Sequence, residues 1–133
     1  MQSLLSYLNE FLLFRNFVEV IGGLDNTLLL LVISLPIGFV LSLIFALGRV
    51  SQNKFISKPI ASYIFVIRGT PLLVQIYLIY FGLGSIEFIR ESFLWYLLRE
   101  PFWCGVLALT INTVAYGSEI FRGGIQSVTK GQI

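Results

Sequence analysis

Thr27–Gly48, TLLLLVISLPIGFVLSLIFALG, runs for 22 residues without a charged side chain. At 1.5 Å per residue a helix of that length covers the roughly 30 Å of a hydrocarbon layer, so this stretch decides the class: an α-helical membrane protein. Two further apolar stretches, Pro71–Phe88 and Phe102–Phe121, follow it. The reading is all-α, a polytopic membrane helix bundle with three spanning helices at about 27–48, 71–88 and 102–121. Residues 1–25 differ in pattern. Leu4, Leu5, Leu8, Phe11, Leu12 and Phe14 beside Glu10 and Arg15 suggest an N-terminal amphipathic helix lying in the membrane surface.

Composition narrows the function. Apolar residues make up 56% of the chain and charged residues 12%, far from a soluble domain. The net charge of +2 is dispersed through short loops, which argues against nucleic acid as a partner. No histidine is present and Asp25 is the only aspartate, which removes Ser-His-Asp hydrolysis, histidine-ligated zinc and a paired-aspartate intramembrane protease. The single cysteine, Cys104, reads as small helix filler and can form neither an intrachain disulfide nor a cysteine metal cluster. No GxxxxGK[ST] loop occurs, so the chain is expected to bind no nucleotide, no metal and no cofactor of its own, and not to be an enzyme.

Charge asymmetry gives an orientation. The segment 49–58 holds Arg49, Lys54 and Lys58 without an acid, and Arg122 and Lys130 lie beyond the third span, whereas 85–100 carries Glu87, Glu91 and Glu100 against Arg90 and Arg99. By the positive-inside rule the N-terminus is outside and the C-terminus cytoplasmic. Starting the second span at Pro59 would bury Arg68 near the midplane, at a cost of about 2.5–3.5 kcal/mol or more. Starting it at Pro71 with Thr70 as N-cap leaves Arg68 at the cytoplasmic headgroups, and 59–67 becomes an interfacial or packed lead-in. Asn26 or Thr27 is expected to cap the first span and Gly123-Gly124 to stop the third. Pro36 should bend its helix, with Ser34 taking up a freed carbonyl.

Few polar residues interrupt the spans. Asn112, Tyr116 and Glu119 recur at i, i+4 and i+7, hence on one helical face, flanked by Thr113 and Ser118. A polar stripe in lipid must face protein or water, so these residues either join helices or contact a solute. Glu119 is expected to pair with Arg68 or Arg122, or to face a solute path. Gln75, one turn into the second span, is a further candidate.

Two strings carry a resemblance. Ile67-Arg68-Gly69-Thr70-Pro71-Leu72-Leu73-Val74-Gln75 with Ile79-Tyr80-Phe81-Gly82-Leu83, and Ala115-Tyr116-Gly117-Ser118-Glu119-Ile120-Phe121-Arg122-Gly123-Gly124-Ile125, closely resemble the membrane-spanning permease subunits of bacterial ABC importers for polar amino acids. The resemblance extends over 26–133 and implies an incomplete ABC transmembrane type-1 permease domain with a partial type I importer fold, in the bacterial inner membrane. The implied partners are a second permease subunit, a cytoplasmic ABC ATPase that hydrolyses the ATP, and an external amino-acid-binding protein. The implied mechanism is alternating access, with Gln75, Asn112, Thr113, Tyr116 and Glu119 along the substrate pathway. Lys130, Gly131 and Gln132 match the residues leading into the family's Glu-Ala-Ala coupling motif, before which the sequence stops. A rival expectation follows from that stop: a non-transporting remnant that pairs with other permeases through the small residues Gly105, Ala108 and Ala115.

Overall fold

The computed structural model describes residues 2–128. The order is α1 (Gln2–Gly22), α2 (Leu24–Val50), α3 (Lys54–Gly69), α4 (Leu72–Tyr77) continuing into a five-residue π-helical segment Leu78–Gly82, α5 (Glu87–Arg90), α6 (Trp95–Leu98) and α7 (Pro101–Ser127). The protein is all-α, with no strand among the described residues. Among the described residues two helical runs are long and apolar enough to cross a membrane, Asn9–Val50 and Pro101–Ser127. The pair Lys54–Gly69 and Leu72–Gly82, bent by 107°, makes a third when taken as one broken span.

The core is the contact between α2 and α7, the most extensive in the fold. Ser34, Gly38, Ser42 and Ala46 recur every fourth residue on α2, and all are buried. Small residues at that spacing let two backbones approach closely where no hydrophobic drive exists between helices in lipid. Gly105 lies against Leu30, Gly38 against Thr113 and Gly117 against Ser42. The offset between partners stays the same along the contact, so α2 and α7 run in the same direction. Ala108 and Ala115 are fully buried in this core. That corrects the idea that Gly105, Ala108 and Ala115 present a free face for another permease, because α2 already occupies it.

Parallel α2 and α7 require the intervening chain to travel back along them. Helix α3 begins beside the end of α2, where Ile56 and Ile60 cover Gly48. It then crosses toward α7, with the Tyr63 hydroxyl donating to the Ile111 carbonyl (2.6 Å) and the Tyr63 ring edge-on to Phe45. The α4 and π-helical segment continues along the first half of α7, from Gln75 beside Asn112 to Tyr80 and Phe81 beside Pro101 and Cys104.

Several local expectations change. The first span has no cap at Asn26 or Thr27, since both lie inside α2, and the Thr27 hydroxyl donates to the Gly23 carbonyl (3.1 Å). Gly23 has helical angles (φ −84°, ψ −9°), so α1 leads into α2 almost without interruption. The described side chains of α1 are exposed, and Phe11, Leu13, Phe17, Val18 and Val20 point to different sides of it. Leu4, Leu5, Leu8 and Phe14 have side chains outside those described. Helix α2 continues through Pro36, and Ser34 donates to the Leu30 carbonyl (2.6 Å), not to that of Val32, which the proline frees.

Thr70 caps the end of α3, not the start of the next helix: its hydroxyl donates back to the carbonyls of Val66 (3.0 Å) and Ile67 (3.2 Å). The extended Thr70 and Pro71 make the 107° bend. The helical path beyond them ends near Gly84, short of Phe88. Gly123 and Gly124 do not stop α7, which runs to Ser127; neither has a positive φ, and Arg122 bonds along the helix to Glu119 and Gln126 across this turn.

Candidate functional site: a polar junction and a basic groove

Gln75 is the hub of the polar residues. It is 5% exposed. Its Nε2 donates to the Ile67 carbonyl (2.7 Å), the Thr70 carbonyl (3.0 Å) and the Thr70 hydroxyl (2.9 Å), while its Oε1 accepts from Asn112 Nδ2 (3.3 Å). The broken turn between α3 and α4 leaves carbonyls that no helix satisfies, and in lipid each would cost several kcal/mol. Gln75 answers them and ties the break to the middle of α7.

Seven residues further along α7, at Glu119, the chemistry turns ionic. Arg122 grips Glu119 as a fork, Nε to Oε1 and Oε2 (3.1 and 3.0 Å) and Nη2 to Oε2 (2.7 Å). Arg49, at the end of α2, approaches the same carboxylate at 3.7 Å. Of the two expected partners the structure therefore selects Arg122. Arg68 instead lies over the Tyr116 ring, 5.3 Å from its centroid, a cation–π contact. Arg49, Arg68, Tyr116 and Glu119 line an open groove of about 860 Å³ bounded by α3 through Ser62 and Phe65.

The residues predicted from sequence thus divide. Gln75 and Asn112 meet at the helix break; Tyr116 and Glu119 open on the groove; Thr113 packs on Gly38 and Ser118 is buried, donating to the Ala115 carbonyl (3.0 Å). Lys130, Gly131 and Gln132 lie outside the described residues. Two contributors escaped the sequence reading: Arg49, which counted only toward orientation, and Tyr63, whose hydroxyl joins α3 to α7. The signal for Arg49 is its place at a helix end with no acid nearby in sequence, which leaves its partner to another helix.

Glu119→Gln is expected to destabilise the protein by about 1–3 kcal/mol, because three guanidiniums then share a site with no carboxylate. Arg122→Gln should cost less, since Arg49 remains beside Glu119. Thermal unfolding in micelles ranks the two, and equal or reversed losses contradict this account of the cluster.

The comparisons with known proteins fit this arrangement. Residues 15–133 match the family described as "Binding-protein-dependent transport system inner membrane component". The chain is 48% identical over 121 residues to the octopine transport system permease protein OccM of Rhizobium meliloti, covering 91% of this chain and 49% of that protein. It is 47% identical over 112 residues to the histidine/lysine/arginine/ornithine transport system permease protein HisM of Escherichia coli (strain K12), covering 84% and 47%. With the arginine ABC transporter permease protein ArtM of Haemophilus influenzae the identity is 40% over 121 residues, 90% and 53% of the two chains. The crystal structure of an amino acid ABC transporter with histidines superposes with a TM-score of 0.73 at 42% identity, over 92% of this chain and 53% of that one. The chain spans about half the length of the curated relatives it matches. An apolar bundle joined by a parallel small-residue core, carrying both recognisable strings at its polar junctions, belongs to the family of binding-protein-dependent transport system inner membrane components.

Proposed function

We propose that residues 26–133 form the first part of a permease subunit that imports a polar amino acid by alternating access, with a separate ABC ATPase hydrolysing the ATP. The observation that carries this reading is the broken helix pinned by Gln75 to Asn112, with Tyr116 and Glu119 opening on a groove beside it. Irregular backbone at membrane depth persists where protein buries it or where it lines a cavity. Of the five pathway candidates, Tyr116 and Glu119 are proposed to face the solute, while Gln75, Asn112 and Thr113 hold the wall behind them. Glu119 is neutralised by Arg122, so a cationic side chain must displace an arginine to use it.

The positive segments at 49–58 and beyond Glu119 support a cytoplasmic C-terminus, and the parallel α2 and α7 support an odd number of crossings. In this reading the loop that begins at Lys130, Gly131 and Gln132 leads to the ATPase contact, through which closure of the ATPase biases the membrane helices. A second permease subunit and an external binding protein complete the importer. Co-reconstitution with a family ATPase and an arginine-loaded binding protein tests the proposal: ATP turnover that rises on adding the loaded binding protein supports it. Turnover indifferent to this chain contradicts it.

A further inference from the structure

The groove beside Glu119 holds more positive charge than the fold uses. From Arg49 to Ile86 the sequence has four cations, Arg49, Lys54, Lys58 and Arg68, and no acid. The one carboxylate in the groove, Glu119, is taken by Arg122, and Arg68 has no acidic partner within ion-pair distance among the described residues. Arg49 Nε is buried without a hydrogen-bond acceptor, Glu119 standing too far off at 3.7 Å. That Nε is enclosed and Nη1 donates to the Ser57 hydroxyl (3.3 Å), so what Arg49 offers the groove is the exposed third of its side chain, beside Arg68. On the groove wall α3 exposes apolar surface: Phe65 is 80% exposed and Val66 57%.

We propose that this groove binds the headgroup of an anionic phospholipid, the phosphate lying between Arg49 and Arg68 and the acyl chains along Phe65 and Val66. Guanidinium forks match phosphate oxygens, and an aromatic wall beside them suits a ligand that is polar at one end and hydrocarbon at the other. Lys54 and Lys58, exposed one turn apart near the start of α3, add positive charge on the same helix as Arg68. The lipid headgroup engages Arg49 and Arg68, whereas the solute of the proposed path is assigned Tyr116 and Glu119. The proposal depends on the cytoplasmic C-terminus only for the choice of leaflet; in micelles, which have no sides, lipid preference is read even if that orientation fails.

Native mass spectrometry of the purified chain, titrated with phosphatidylglycerol or phosphatidylcholine of identical acyl chains, tests it. Retention of phosphatidylglycerol should exceed that of phosphatidylcholine, and Arg68→Gln should cut the preference by about fivefold, the effect of one surface cation. The double change Lys54→Gln, Lys58→Gln, at exposed positions that hold no contact in the core, should lower it as well, and covers the case in which the Arg68 variant does not fold. Equal retention of the two lipids overturns the proposal, as does a preference untouched in both variants. Inorganic phosphate that strips the bound lipid at matched concentration overturns it too, by reducing the groove to a simple anion site.

Discussion

Gly38→Val is expected to disrupt the α2–α7 core and cost about 3 kcal/mol, the upper range for overpacking a well-filled contact. The position leaves no room for any side chain: a Cβ built there stands 2.7 Å from both Cβ and Cγ2 of Thr113. Those atoms are branched at the backbone of a helix and cannot swing aside as a long side chain does. Gly48 supplies the contrast, since the atom its Cβ would meet is the flexible Cδ1 tip of Ile60, and Gly124 meets nothing within 4 Å. Gly124→Ala should therefore be neutral or slightly stabilising, because alanine gives up less backbone freedom in a helix. Combining Gly38→Ala with Thr113→Gly should recover part of what Gly38→Ala loses, a coupling that thermal unfolding in micelles can measure as a double-mutant cycle. Strict additivity of the two changes would show that Gly38 and Thr113 do not touch.

Gln75→Leu is the second severe change, with an expected loss of about 2–4 kcal/mol. It keeps the apolar volume and removes the amide that answers Ile67 and Thr70, so the Thr70 carbonyl faces hydrocarbon unpaired, the Ile67 carbonyl keeps only the Thr70 donors, and Asn112 loses its acceptor. Gln75→Glu separates polarity from geometry. A carboxylate still accepts from Asn112 but donates nothing, and it sets negative charge against the carbonyl oxygens that the amide now satisfies. Both variants should open the break between α3 and α4, seen as faster amide hydrogen exchange at Thr70 to Val74 with exchange in the α2–α7 core little changed. Protection at the break equal to wild type in Gln75→Leu would remove Gln75 from the role assigned to it.

The sequence was most legible where length and charge alone decide. An uncharged run of 22 residues announces α2 whatever packs against it, and the i, i+4, i+7 spacing of Asn112, Tyr116 and Glu119 announces a polar face of α7. Less legible was what each polar residue touches. Thr113 reads like its neighbours Asn112 and Tyr116, yet it fills the space that Gly38 leaves, a fact held by α2 and not by α7. Caps failed for a related reason. Thr70 has the residue type and position to begin a helix, but its hydroxyl is equally able to close the preceding one, and the carbonyls left at the end of α3 decide the matter. Gly123-Gly124 looks like a stop until the Glu119–Arg122–Gln126 ladder that spans it is known. Local signals of this kind are weak beside contacts between distant segments.

The account rests on α2 and α7 crossing in the same direction, outside to inside, with the bent segment returning between them. Cysteine accessibility tests this most directly: with Cys104 replaced by serine, single cysteines at Asn53, in the turn between α2 and α3, and at Glu91, between α5 and α6, are exposed to a membrane-impermeant maleimide in intact cells. The account predicts labelling at 91 in intact cells and at 53 only after permeabilisation. Labelling of both positions from the same side would contradict it, since the segment between them would then not cross the membrane.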